Sequence, residues 1–560
     1  MRINLLREMI VSTEARPKKF TSRILIQYHD LLLFILAYPP DKRTHQLAGA
    51  ELDRLADLLP GLVHTSSRAF NTFRETGVFT STNEVAFSWS FLRWFSKRFP
   101  DQIEIVWDEN ESAGAGLDGL LNLIATPVEK DGLLESSIST KEWFDCALGS
   151  SGPTALSLLV ERIENLNLPE VVAEHLLEGI DLRFDWTIGS VSASRTGCRF
   201  PEREVFYHRS DLLRHFSIDK HLQKKVSAEI LQKLPRGQAR ELIETARFIL
   251  GSRARETDPV TYANVDEVYL AHLDRGIDIA LYGMTPGRRL PIESFFGYVL
   301  AKNGVPAAYG GGWVFLDRCE IGINIFPEMR GGESAYLFTQ LLRLYRDVFD
   351  IHRFTVDPFQ FGADNADGLR SGAFWFYRRF GFEPIDEGLR DLANREWEKI
   401  SRDRSYRSPL RVLKKLATAK LVMEVGDGES GDVRLSTPDL PAIGLAVTRN
   451  IGLRFGGDLE HAEESSFRLL LKVLGIRKST FNNWPECERA AFKRFCPLVM
   501  MIDDLRDWSK KELRSLITLL RSKGGKREMR YAELARNHPR WGAFLRKIAE
   551  GGNPDQVGAD

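Results

Sequence analysis

The sequence predicts a multidomain chain of α+β or α/β class, with a central mixed sheet flanked by helices and mainly helical regions before and after it. Three observations carry this expectation. The chain has 560 residues, too many for one hydrophobic core, so roughly two to four domains are expected. Apolar residues recur on the helical period through most of the first half and again after Glu396. Between these regions the pattern changes to strand-like alternation with a hairpin signal. The expected organisation is a mainly helical region with a few strands at 1–255, an α/β domain at 256–395, a mainly helical region at 396–550, and a disordered tail at 551–560.

In the first region, Phe20 to Ala37 shows one broad apolar helical face and is ended by Pro39-Pro40. Val85 to Phe99 is expected as a second helix, with Phe87, Phe91, Trp94 and Phe95 at core spacing and Pro100 as its stop. Ile103, Ile105 and Trp107 alternate as in a strand, as do Leu182, Phe184, Trp186 and Ile188. Asp258-Pro259 marks a boundary. Beyond it, Asn303-Gly304 sits between two apolar runs and predicts a hairpin. Cys319 to Phe326 alternates Ile321, Ile323 and Ile325 with Glu320, Gly322 and Asn324, which predicts another strand. Pro327 ends it, Arg330-Gly331-Gly332 follows, and a helix is expected over Ser334 to Phe349. A strand near Phe354 to Asp357 and a short aromatic helix come next.

Composition narrows the function classes. Hydrophobic residues make up 43% and charged residues 28%, and the formal net charge is zero. Bulk electrostatics therefore favour neither nucleic acid nor an anionic membrane as partner. The basic stretch Leu505 to Lys547 has no nucleic-acid motif beside it and is expected as a solvated helical face. The five cysteines lack C-x-x-C spacing, so free thiols are expected rather than disulfides or a zinc site. His208, His215 and His221 lack the i,i+4 spacing of a helical ligand pair and are expected as surface or capping residues; no metal is implied. The N-terminus has no apolar run long enough for a secretory signal, and Leu31 to Tyr38 is too short to span a bilayer. A cytoplasmic protein is expected.

The chemistry concentrates in two segments. A strand, then Pro327-Glu-Met-Arg330-Gly331-Gly332-Glu333-Ser334-Ala335, then an apolar helix, places unpaired N–H groups at a helix N-terminus, where an anion is favoured. Later comes Gly372-Ala-Phe-Trp-Phe-Tyr377-Arg-Arg-Phe-Gly381-Phe382, with its aromatics bunched rather than spread at helical spacing. Together they resemble the GNAT superfamily of acyl-CoA-dependent N-acyltransferases, over a segment of about 265–385, a fifth of the chain. That family's phosphate loop reads Arg/Gln-x-x-Gly-x-Gly/Ala, and Arg330 and Ala335 match its ends; its later Ala-x-x-x-Tyr-x-x-x-Gly-Phe is matched by Ala373, Tyr377, Gly381 and Phe382.

The resemblance implies a GNAT-like sheet, acetyl-CoA or another acyl-CoA as co-substrate, and an amine as acceptor. It implies that Arg330, Gly331, Gly332, Glu333, Ser334 and Ala335 hold the pyrophosphate. A backbone N–H near Ile325 and Phe326, where two strands splay apart, would polarise the thioester carbonyl. Tyr377 would protonate the leaving thiolate: a thiol of pKa about 8.5 leaves tolerably, and a phenol near 10 can donate to it. Glu320 stands where some family members place a base; an ordinary rim ion pair is the other reading of it. Two departures stand out. The loop's middle glycine is Glu333, whose carboxylate either opposes the pyrophosphate, turns outward, or caps the helix itself. Seven residues before Tyr377, where the family often has Asn, this chain has Arg370, with Asn365 further back; either could serve the cofactor. The alternative implied by Glu333 is a catalytically inactive GNAT-like domain acting as a ligand-binding or scaffold module.

Overall fold

The computed structural model describes residues 21–107, 114–135, 138–149, 154–180, 182–403, 405–425 and 438–552. The expected Gly/Asp/Ser loop from Gly426 to Asp432 lies outside them, as does the tail beyond Gly552. The first two residues of that expected tail instead close the last helix.

The described chain opens with α1 (Ser22–Ala37), started by the Thr21 hydroxyl accepting the Ile24 N–H. A small antiparallel sheet follows, made of β1 (Thr82–Val85), β2 (Ile103–Ile105) and β3 (Phe184–Thr187) in the order β1-β3-β2. Val85 does not begin a helix. It pairs with Phe184 at the end of β1, and the helix runs over Trp89–Arg98 after an extended Ser88. Cross-strand packing of a β-branched residue overrides the helical spacing of the phenylalanines that follow.

The main sheet is mixed. It contains β4 (Leu231–Lys233), β5 (Ala263–Leu273), β6 (Ile277–Met284), β7 (Ser294–Lys302), β8 (Val305–Phe315), β9 (Arg318–Ile321), β10 (Asn324–Ile325), β11 (Arg353–Val356), β12 (Glu383–Pro384) and β13 (Leu421–Glu424). Their order is β12-β13-β11-β9-β8-β7-β6-β5-β4, with β10 also on β8. The sheet thus draws β4 from before residue 256 and β13 from after residue 395. The helices that matter for the site are α2 (Arg236–Gly251), α3 (Ser334–Phe349), α4 (Ala366–Ser371) and α5 (Ala373–Arg378). The C-terminal helices are α6 (Leu440–Phe455), α7 (Leu459–Val473), α8 (Glu486–Val499), α9 (Lys510–Ser522), α10 (Glu528–Asn537) and α11 (Trp541–Gly552).

Both faces of the sheet are buried, which is why its central strands read as nearly continuous apolar runs. Ile279, Leu281, Tyr298 and Leu300 enter one core together with α1 and α3. Their neighbours Ala280, Tyr282, Val299 and Ala301 enter a second core with α2 and the N-terminal helices. The C-terminal helices enclose a third core, which reaches the sheet at Phe315 and Leu316. A buried ionic network joins these helices to the sheet. Glu267 on β5 caps α10, accepting the N–H groups of Glu528 at 2.7 Å and Met529 at 2.8 Å. Arg289 pairs with Glu267 at 3.2 Å, and Lys523 pairs with Glu528 at 2.6 Å. Lys523 is only 4% exposed, so the basic C-terminal stretch is not entirely a solvated face. It turns inward where a buried carboxylate awaits it. No described helix is long and apolar enough to cross a membrane, and all five cysteines are free thiols.

The Asn303-Gly304 hairpin forms as its sequence predicts, with left-handed φ of 48° and 76° at the two turn residues. The Asn303 side chain also ties the turn to the N-terminal region. Its Oδ1 accepts the Phe206 N–H at 2.8 Å, and its Nδ2 donates to the carbonyls of Ala37 at 2.9 Å and Phe206 at 3.0 Å. Asn303→Gly keeps the left-handed backbone while removing three hydrogen bonds, and should lower unfolding stability by about 2–4 kcal/mol in urea titration. Asn303→Ala should cost about 1 kcal/mol more, because alanine resists the left-handed turn.

Candidate functional site

The segment between β10 and α3 is fixed at both ends by carboxylates that point into the protein. At its start, Glu328 is held by Arg253 at 2.9 Å and by Arg195 at 3.5 Å. Burial alone would raise the pKa of Glu328, but the charges of Arg195 and Arg253 outweigh it and bring the carboxyl down to about 2. At the other end, Glu333 is fully buried. Its carboxylate pairs with Arg275 and, at 3.1 Å, with Lys302, and it accepts the Leu213 N–H at 2.9 Å. Burial pushes Glu333 up, but the Arg275 hydrogen bond and the Lys302 charge more than offset this and hold it below the usual carboxylate range.

Glu333 therefore takes none of the three courses expected of it. It does not oppose an anion, face solvent or cap α3, whose N-cap lacks a side-chain hydrogen bond. The reason is the pair of cations waiting inside. Lys302 ends β7 with its ammonium over the rings of Tyr38 and Phe206, and burial lowers its pKa to about 8. Arg275 sits in the β5–β6 turn with φ of 62°. His208 joins this cluster and is only 7% exposed, so it is not a surface histidine. Burial and the Lys302 charge lower it to about 4, which leaves it neutral near pH 7.

The backbone N–H groups of Gly332 and Glu333 also leave the expected anion site. The Gly332 N–H donates to the Met329 carbonyl, and the Glu333 N–H donates to the Tyr38 hydroxyl. A Cβ on Gly332 would come within 2.7 Å of the Tyr38 ring, so this glycine is required by the close approach of Tyr38. What remains outward is Arg330 and Gly331, both exposed, with Ser334 and Ala335 half-buried at the first turn of α3. The first-turn N–H groups of any α-helix lack intrahelical partners. Arg214 adds a second exposed guanidinium here, donating to the Gly331 carbonyl at 2.5 Å. Sequence reasoning misses Arg214, since nothing local links it to this loop.

The strand before the loop is interrupted. Ile321 pairs with Gly312 and Asn324 with Tyr309, so three residues forward on one strand match three residues back on the other. β9 and β10 are thus one strand in constant register, from which Gly322 and Ile323 depart. β11 runs parallel to β9 only as far as Thr355 opposite Glu320; Val356 keeps its partner Leu421 on β13, which pairs along the whole other edge of β11, but has none on the β9 side. A wedge opens between β10 and β11. The Phe326 N–H is spent on the Ala307 carbonyl of β8, and its ring stacks on Tyr309, so Phe326 does not serve the wedge. Strand alternation turns the Ile325 N–H away from β8 and toward the opening.

Tyr377 reaches this break. Its hydroxyl lies beside the Ile323 backbone, and burial pushes the phenol well above its usual pKa. The ring is 2% exposed. Gln360 closes the wedge from the other side, since a Cβ on Gly322 would lie 2.7 Å from the Gln360 amide. The bunched aromatics pack against protein on two sides: Phe338 of α3 contacts Phe376, Tyr377, Phe380 and Phe382, while Trp375 stacks on Trp397. Gly381 supplies the left-handed residue that ends the run, with φ of 92°.

The remaining expected residues are engaged elsewhere. Glu320 pairs with Lys420 at 2.6 Å, the rim ion pair rather than a free base. Asn365 caps α4, accepting the Gly368 N–H and donating to the Phe359 carbonyl. Arg370 is exposed and pairs with Asp367. A carboxylate not foreseen from the sequence is Glu256, which is exposed and hydrogen-bonded by the Tyr309 hydroxyl beside Asn324. Among the described residues no cluster of His, Cys, Asp and Glu could hold a metal ion. Comparison with family models, curated proteins and solved structures finds no match.

Two outcomes follow from the paired carboxylates. Glu333→Gly strands Lys302 and Arg275 without their partner and should cost about 3–5 kcal/mol in urea unfolding, far above the few tenths of an exposed cap. The lowered pKa of Glu328 stabilises the fold fully above its ordinary value of 4.5, and this stabilisation is lost as pH falls toward about 2. Wild-type stability should therefore drop across that window, while Glu328→Gln, less stable at neutral pH, should lack that part of the slope.

Proposed function

We propose that the central segment is a GNAT-like domain and that the protein is an acyl-CoA-dependent N-acyltransferase acting on an amine. The observation that carries the reading is the wedge beside β10, with the Tyr377 hydroxyl at its apex and the N-terminus of α3 one short turn downstream. In this reading Arg330, Gly331, Ser334, Ala335 and Arg214 hold the pyrophosphate. With Glu333 withdrawn into its ion pairs, two exposed guanidinium groups and the dipole of α3 face the anion without opposition from that carboxylate.

The chemistry follows from the charges that develop. The amine nitrogen attacks the thioester carbonyl, whose oxygen gains negative charge and is met by the Ile325 N–H. As the tetrahedral intermediate collapses, the C–S bond breaks and the sulfur takes the Tyr377 proton. The proton lost by the amine goes to Glu256, since Lys420 occupies Glu320. Gln360 must leave Gly322 for the thioester to reach the phenol.

A second reading is a GNAT-like domain without catalysis. The burial of Tyr377 and the Glu320–Lys420 pair favour it. Calorimetry with acetyl-CoA and a thiol-release assay separate the two. At ~100 Kd the ligand should stabilise the fold by about 2.7 kcal/mol. Arg330→Ala should weaken binding roughly 10- to 100-fold, the worth of a charged hydrogen bond, while Arg370→Ala leaves it unchanged. Tyr377→Phe should lower kcat by roughly 10²–10⁴-fold with acetyl-CoA affinity retained. Binding without turnover selects a non-catalytic ligand-binding module, and no binding at millimolar acetyl-CoA overturns the enzyme and leaves the scaffold.

A further inference from the structure

A cavity of about 520 Å³ lies among α6, α7, α8 and the loop from β6 to β7, and shares no residue with the wedge. We propose that it binds a small, uncharged aliphatic molecule. Its volume falls in the usual range for ligand sites, roughly 300–1,000 Å³. Ile443, Val447 and Ile451 form one wall at successive turns of α6, and Phe495, Leu498 and Ile292 form the facing one. These two walls are apolar.

Charge decides against an ionic ligand. Arg289 and Lys523 line the cavity, but their charges are already met by Glu267 and Glu528, and their donors by backbone carbonyls. The other charged lining residues are Glu463, Glu486 and Arg494, all exposed and none in an ion pair. Two acids against one base repel a carboxylate head rather than hold it.

Gly444 points the same way. It lies within α6 and lines the cavity, although glycine inside a helix is destabilising. Its backbone is not left-handed, and a Cβ added there would meet nothing within 4 Å. Neither conformation nor packing within the chain requires a glycine here, and the space above it is open to a bound molecule.

The chain carries its own reporter. Cys487 lines the cavity and is exposed, while Cys146 is an exposed thiol outside it. Iodoacetamide labelling of both, followed by peptide mass spectrometry with and without 1-octanol, tests the proposal on the full chain. Octanol at about ten times its Kd should slow labelling of Cys487 roughly tenfold and leave Cys146 unchanged. Gly444→Phe and Val447→Trp, which fill the space in two different ways, should abolish the protection. Gly444→Ala should fold at least as stably as wild type and still be protected. The proposal is overturned if octanol gives no protection, if both filled variants remain protected, or if octanoate protects better than octanol. It is also overturned if Cys487 is shielded without additive in proportion to protein concentration, which would mark the cavity as a face between two copies.

Discussion

Two buried carboxylates five positions apart, Glu328 and Glu333, set the course of the chain between the central strand and α3. Each is held by cations from other parts of the fold: Arg195 and Arg253 for the first, Arg275 and Lys302 for the second. An ion pair taken out of water is net favourable only when its geometry and additional hydrogen bonds recover the cost of desolvation. Glu328 gains such hydrogen bonds from Arg253 and Glu333 from Leu213 and Lys302, and the segment between them has little freedom to move inward or outward. Arg330 and Gly331 are consequently displayed at the surface, while Gly332 is pressed onto Tyr38. The N-terminal region therefore works as a mould for this loop, supplying Tyr38, Arg195, His208 and Leu213 to its inner side.

The local signals in the sequence correspond closely to local structure. Serine after a glycine pair, followed by apolar residues at helical spacing, marks α3 over Ser334–Phe349, and the observed helix has those bounds. Asn-Gly between apolar runs marks the hairpin because both residues tolerate left-handed backbone at little cost. Strand alternation over 319–326 is visible too, although the pattern conceals the two-residue departure at Gly322 and Ile323. These features are decided by residues within one turn or one strand of each other.

The site is far less legible, because its partners are remote. Glu333 meets Lys302 and Arg275 through the ends of strands 31 and 58 residues earlier, and Tyr38 comes from 295 residues away. A glutamate in a phosphate-loop position looks like a defect until those cations are seen. Glu320 and Lys420 are likewise joined only because β13 returns to the sheet near β9 and β11. Asn365 is the opposite case: an asparagine three residues before Gly368 is a local cap, and the family resemblance draws attention away from that simpler role.

The position of β13 has a consequence for how the chain is made. Among the described strands β12 pairs only with β13, and β13 joins it to β11, so the end of the sheet closes in an order different from that of synthesis. Until Leu421–Glu424 emerges from the ribosome, β11 presents an open edge of unpaired backbone groups, and Glu383-Pro384 has no strand to lie against. An open edge of this kind invites pairing with another nascent chain. Ending the protein after the α/β segment at 395 would make that interval permanent. The residues beyond it are therefore part of what keeps the sheet from templating its own aggregation.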